Sequence, residues 1–502
     1  MKQFLQKDRL SFFLIFYFLL SLFFFPIASQ LQFGKLQIVP PEALYTSIKL
    51  FDSYETAMFV YGIRSVVGIF LYFCIFLAFY SKYRSGKFEL TVFQKSLILL
   101  ILVANTITPP FSSNDFYYYM GLGRIQAYQN VNPYLVPISK TPLPEITASI
   151  GVWVDIPTMY APFLTYFYKV VASVSNNLIL HGFLLKFLAL FAYLVSGYMS
   201  FKIANIYSAK IGGLVVFAFL LNPLSLDEIL INGHNDIFAI LFFLGAVYLG
   251  LTARYILASG LFFMTVFIKF PFLALAPLFL FLPKRNDDEE ENTFLKRLII
   301  GAKITLMNGL RFMLPGFLIV IPFLFFFYFQ YFNDPSSLKA FGILGALWNS
   351  STPGVLGLML NEYANVSIGK VLKLIVFLRF SFFIFVFYRA FKIKNKNIFL
   401  EEITFVLILF YLVFSAYVWS WYLVIIVPFA FFRPNRTYIF HILAIAFGAS
   451  CFWIFFHLNA GGIFGFSLFH TKLLEYLLSY SIVIILFSFS VIDKRLHDIF
   501  SI

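Results

Sequence analysis

The chain has 502 residues, 61% of them hydrophobic and 12% charged, which excludes a soluble domain because no interior of that size could hide so much apolar surface. The formal charge of +14 is scattered over short loops between apolar runs, where retention on the cytoplasmic side accounts for it, so no nucleic-acid partner is implied. Only two cysteines occur, Cys74 and Cys451, both inside apolar runs, which leaves neither a disulfide framework nor a thiolate metal site.

Apolar segments able to cross about 30 Å of hydrocarbon recur along the chain. In order they fall near 10–27, 57–80, 88–108, 178–200, 211–229, 236–252, 255–268, 271–283, 313–332, 366–390, 403–417, 421–432, 437–457 and 473–492. The first run has a passable cleavage site at Ile27-Ala28-Ser29, but it is read as a signal-anchor and the first span. The expected fold is an all-α polytopic membrane protein, a bundle of about 14 transmembrane or half-length helices with outer interfacial helices. The whole chain, 1–502, forms one integral membrane domain, with an outer loop at 109–177 and a charged, solvated cytoplasmic loop at 284–297. With the N-terminus inside, the basic loops at 81–87, 391–397, 433–436 and 493–497 all fall on the cytoplasmic side.

The segment 160–175 decides the orientation of every span up to residue 283. It is apolar enough to be counted as a span, yet it is short and broken by Pro162, and its Tyr160, Tyr166, Tyr168 and Lys169 suit a helix lying in the outer interface. That reading puts three further polar clusters on the same outer face as the first loop. Two pairs, 255–268 with 271–283 and 403–417 with 421–432, are too short to cross as separate vertical helices. Polar breaks of that kind are tolerated where protein or a water-filled cavity satisfies the freed backbone, and they tend to line sites.

Four clusters could carry chemistry. In the first, Ser112-Ser113-Asn114-Asp115 opens a predicted helix running to about Gln129, with Tyr117, Gly121, Arg124 and Tyr128 on one stripe and Asn130-Val-Asn132-Pro133 ending it. A carboxylate at that end is stabilised in its ionised form and suits a general base, although Asp115 could equally serve only as a cap. In the second, an apolar span breaks at Pro223 and Asn232-Gly-His234-Asn235-Asp236 follows. Ionisable groups at such a break usually serve a ligand. One His and one Asp do not make a zinc site, whereas a hard divalent cation, Mg or Mn, held by Asp115, Asp236 and a lipid phosphate is an open alternative.

The third cluster is Lys269, before Pro271 and between two half-length helices. It could face an outer cavity as a point charge for phosphate, or snorkel to the interface. Arg64, Lys169 and Lys186 add positive charge at the same depth, and Arg379, near the middle of its span, needs a partner within the bundle. In the fourth, Ser420-Trp421-Tyr422 offers aromatic faces that belong to an interfacial belt or pack against a sugar ring.

The run Asn114-Asp115-Phe-Tyr-Tyr118-Tyr-Met-Gly-Leu-Gly123-Arg124, followed by Asn132-Pro133-Tyr134, resembles the first outer loop of polyprenyl-phosphate-sugar-dependent glycosyltransferases of the GT-C fold. It is most like that of the bacterial polyprenol-phosphomannose-dependent alpha-1,6-mannosyltransferases. Asn222-Pro223 with Gly233-His234-Asn235-Asp236, Lys269 near Pro271, and Trp421-Tyr422 are similar to further motifs of that family in the same order. The first loop carries one acid where some GT-C enzymes have an adjacent pair, and Tyr160-Ala161-Pro162 replaces the Pro-Pro or Gly-Pro often found at the second interfacial helix.

The resemblance implies a multi-pass transferase of the plasma (inner) membrane with its site facing outward. It would move a hexose, mannose first among them, from a polyprenyl monophosphate to a glycan or lipid acceptor with inversion. In that reading Asp115 deprotonates the acceptor, and Lys269 and Arg124 neutralise the leaving phosphate. His234 and Asp236 bind sugar or acceptor, and Asn114, Tyr118, Asn132, Tyr134, Asn235, Trp421 and Tyr422 line the substrate. The prenyl tail lies between helices. A polyprenyl-linked sugar flippase and a glycan polymerase or ligase are the competing readings.

Overall fold

A computed structural model describes residues 8–33, 54–84, 89–110, 113–142, 153–207, 211–282, 303, 305–339, 357, 359–361, 363–393, 395–411 and 420–429. The described residues form helices and connecting turns, with no strand among them. The expected spans at 437–457 and 473–492 and the charged loop at 284–297 lie outside these residues.

The N-terminal helices are α1 (Arg9–Phe33), α2 (Tyr54–Arg84) and α3 (Val92–Ile107), with α1 packed against both of the others. Thr91 and Gln94 close a reciprocal capping box at the start of α3, which places the helix start four residues later than hydropathy alone does. Helix α4 (Asp115–Gln129) comes next and ends on Asn130 in the left-handed region. Its length matches the sequence expectation. Helix α5 (Pro162–Val174) has 13 residues, too few for a span, and packs along α4. The approach is close because position 123 is glycine: a Cβ there would lie 2.4 Å from the Tyr168 carbonyl oxygen.

Helix α6 (Leu178–Tyr207) is long and apolar. The next apolar run is bent by 51° between α7 (Gly212–Leu220) and α8 (Pro223–Ile231). Pro223 has no N–H to continue the ladder, and the Asn222 side chain accepts instead from the Ser225 N–H. The second part of α8, Leu226–Ile231, is wound as a π-helix, a form frequent at functional sites. Then come α9 (Asp236–Leu251), α10 (Tyr255–Ile268), α11 (Phe270–Phe281), α12 (Leu314–Tyr331), α13 (Ile368–Ala390), α14 (Lys396–Leu409) and a 3-10 turn, α15 (Ser420–Ile426). Helix α9 packs on α6 and α10, and α10 packs on α12.

Among the described residues four helices are long and apolar enough to cross a membrane, or five if the bent pair α7 and α8 counts as one. The remaining apolar runs among the described residues form helices of 10–17 residues that end at polar breaks, so the expected count of about 14 transmembrane or half-length helices is not confirmed. Arg379, expected to need a partner in the bundle, sits on an exposed position of α13 and has no ion pair among the described residues.

Candidate active site

Two helix N-termini and one helix C-terminus meet behind the first loop. Asp115 is the first residue of α4, Asp236 the first residue of α9, and Lys269 the residue that ends α10. Each charge sits at the helix end whose dipole favours it. Asp115 does not cap its helix through its side chain; Asn114 occupies the cap position, also without a side-chain cap bond. The Asp115 carboxylate turns inward instead, where Oδ2 accepts from the Tyr160 hydroxyl at 3.2 Å and lies 3.7 Å from Nδ1 of His234. The other imidazole nitrogen is 3.4 Å from Oε2 of Glu228.

Lys269 pairs with Asp236, and its Nζ stands 3.8 Å from the centre of the Tyr422 ring. Burial pushes the Asp115 carboxyl above the ordinary aspartate range. His234, the Tyr160 hydroxyl and Lys269 pull it back down, while Asp236 pushes it up. Lys269 and Asp236 therefore both act on the group they flank.

The loop carrying His234 is fixed by its backbone. Gly233 has φ +70, a conformation costly for a side chain, and a Cβ there would meet the Phe116 ring at 2.5 Å. Lys186, expected to lend charge to the outer face, is buried, and its Nζ donates to the carbonyls of Thr108, Leu230 and Ile231 at 2.5 to 2.6 Å. It thereby satisfies carbonyls left over at the ends of α3 and α8 and ties the two helix ends together just before the His234 loop. Arg64 is taken up in a different way: its Nη1 lies 2.5 Å from Oδ1 of buried Asp227.

Of the sequence-predicted residues, Asp115, His234, Asp236, Lys269 and Tyr422 come together. Asn235 stands one step away, donating to the Tyr168 hydroxyl at 2.9 Å, and the Tyr168 ring stacks on Tyr119. Tyr118 packs near Tyr160 and donates to the carbonyl of Ile156. Three others lie elsewhere. Arg124, over two turns further along α4, holds the carbonyl and side-chain oxygens of Asn176. Asn132 donates to the Tyr331 carbonyl, and Tyr134 donates to the Tyr160 carbonyl with its ring against Tyr331, so both bind the loop to α12. The side chain of Trp421 is outside the described residues.

Tyr160 and Glu228 were not singled out by sequence reasoning as site residues. For Glu228 a signal existed: Asp227-Glu228 is an acidic pair at the end of an apolar run, and such groups need partners.

Among the described residues no three His, Cys, Asp or Glu side chains converge as metal ligands, and Asp236 is neutralised by Lys269. Beside the polar centre lies an apolar groove of about 480 Å³ lined by Pro162 and Phe163 of α5, Met264 and Phe267 of α10, and Val320 and Leu324 of α12. Pro162 is two residues from Tyr160, and Phe267 two from Lys269.

A family model for alpha-(1->6)-mannopyranosyltransferase, N-terminal domain, of the MptA_B family, matches residues 27–284. Asp115, Tyr160, Glu228, His234, Asp236 and Lys269 fall inside that stretch, and Tyr422 outside it. No curated protein and no solved structure matches the chain.

Proposed function

The chain belongs to the MptA_B family of alpha-(1->6)-mannopyranosyltransferases, matched over just over half of its 502 residues, and we propose that it moves mannose from a polyprenyl monophosphate to a glycan or lipid acceptor. The observation that carries the proposal is the placement of the Asp115 carboxylate and the Lys269 ammonium in one site, beside an apolar groove.

The chemistry is set by charge. Asp115 takes the proton of the acceptor hydroxyl as that oxygen attacks the anomeric carbon, and the bond from that carbon to the phosphate oxygen breaks with its electron pair on the phosphate. Lys269 faces the growing negative charge, where a fixed cation lowers the barrier most. Asp236 holds the lysine in place. A single displacement inverts the anomeric centre, so an α-linked product requires a β-linked donor. The groove between α5, α10 and α12 suits a prenyl tail, which is apolar along its whole length. A site open to the outer face of the plasma membrane lets a lipid-borne donor and a water-borne acceptor meet, in keeping with the basic loops expected inside.

The test uses full-length protein in detergent with a synthetic polyprenyl phosphate bearing labelled mannose, and a short α-1,6-linked mannoside as acceptor. Wild type should release polyprenyl phosphate and label the acceptor, and Asp115→Asn should lose at least about a hundredfold in turnover. Wild-type turnover in Asp115→Asn would remove the base, and label carried across sealed vesicles without a new glycosidic bond would replace the enzyme by a transporter.

A further inference from the structure

Asp115, His234 and Glu228 lie in a row, with carboxylate oxygens 3.7 Å and 3.4 Å from the two nitrogens of one imidazole. All three are buried, with exposures of 8%, 0% and 1%, and Asp115 is the one that reaches the surface of the site. We propose that Glu228 is a positioning residue of the transfer reaction, which acts through His234 to keep the Asp115 carboxylate ionised and aimed at the acceptor. The proposal rests on Asp115 being the base.

The backbone around Glu228 builds this row. The π-helical end of α8 carries Asp227 and Glu228 in succession. Asp227 pairs with Arg64 in α2, while Glu228 serves the loop at the other side. That loop is fastened to Glu228 twice. The His234 N–H donates to the Glu228 carbonyl at 3.0 Å, and the Asn232 side chain donates to Glu228 Oε2 at 3.2 Å. The loop bearing the imidazole is thus held by the residue whose carboxylate faces the ring's far nitrogen, an arrangement in which one carboxylate can orient a histidine toward its target.

The chemistry needs such a device. Burial opposes the charge on Asp115, and His234 is the largest of the influences that restore it. His234 stands between the two carboxylates, 3.7 Å from one and 3.4 Å from the other, so a change at Glu228 reaches Asp115 through the ring. Directly, a second buried anion would only oppose ionisation of the first. Groups facing this row from neighbouring elements include Tyr160, Tyr118, Tyr119, Tyr168, Asp236 and Lys269, with Lys186 behind the loop.

The measurement is the pH profile of kcat/KM with polyprenyl-phosphomannose and the mannoside acceptor. Glu228→Gln should move the acid limb upward by about one pH unit, and His234→Gln should move it the same way. Adding Glu228→Gln to His234→Gln should give no further upward shift. A Glu228→Gln limb that coincides with wild type overturns the proposal, as does a downward shift, the sign of direct repulsion alone. If Glu228→Gln yields no folded protein, His234→Gln decides: an unmoved limb overturns the proposal and an upward shift upholds it. These outcomes differ from failure of the base itself, which appears as wild-type turnover in Asp115→Asn.

Discussion

The hydroxyl of Tyr160 donates to Oδ2 of Asp115 at 3.2 Å, which joins the turn before α5 to the first residue of α4. The bond favours the ionised carboxylate against the burial that raises it. A base must be unprotonated, so kcat/KM should fall as pH drops through a value above the ordinary 3.8 of aspartate. Tyr160→Phe removes a donor to the charged form and should shift that limb further up, with a loss of several-fold to tenfold at neutral pH. A limb unmoved in Tyr160→Phe would show that the hydroxyl does not act on the ionisation.

Lys269 and Asp236 neutralise each other at 17% and 7% side-chain exposure. Removal of either one alone leaves the other charge buried without its partner, which costs about 3 to 5 kcal/mol at the upper end for such pairs. Lys269→Met should therefore lower the melting temperature in detergent as well as turnover. The double variant Lys269→Met with Asp236→Asn should regain most of the stability and none of the activity. Turnover that returns with stability would mean the lysine only supports the fold.

The helical layout was legible because its signals are local. Pro162 ahead of a short aromatic run marked an interfacial-length helix, and the caps around Ser113 to Asp115 marked the start of α4. The grouping of charged side chains was legible where an ionisable group interrupts apolar sequence, as at His234, Asp236 and Lys269, which the fold brings together. At Arg124 and Tyr134 the sequence was less informative, because polarity in a loop does not say whether its partner is a ligand or the protein; Asn176 and Tyr160 accept their hydrogen bonds. The acidic pair marked Glu228, but its partner was hidden for a geometric reason. Its approach to His234 depends on the π-helical winding of 226–231 and the left-handed Gly233, neither of which hydropathy or periodicity encodes.

The contact between α4 and α5 depends on Gly123. A Cβ at that position would lie 2.4 Å from the carbonyl oxygen of Tyr168 and 2.9 Å from its carbonyl carbon, and both are backbone atoms that cannot rotate away. Gly123→Ala should push the helices apart and cost about 1 to 3 kcal/mol. Because Tyr168 also holds Asn235, activity should fall more steeply than the melting temperature. Equal stability of the variant and wild type, measured by thermal unfolding in detergent, would mean the helices separate without cost.

The groove between α5, α10 and α12 gives the donor's tail a testable length dependence. Its walls are apolar from Pro162 to Leu324, so each buried methylene of a tail adds about 0.8 kcal/mol at most. A donor with a long prenyl chain should therefore have a lower KM than one truncated to two isoprene units. Leu324→Trp places a large ring in the groove without touching Asp115 or Lys269. The variant should raise KM for the long donor roughly tenfold, equivalent to about 1.4 kcal/mol, and leave the truncated donor nearly unchanged. The split matters because a general loss of fold would weaken both donors alike, whereas a blocked tail site removes only the advantage of length. If the long donor keeps its lead in Leu324→Trp, the tail lies on another face of the protein.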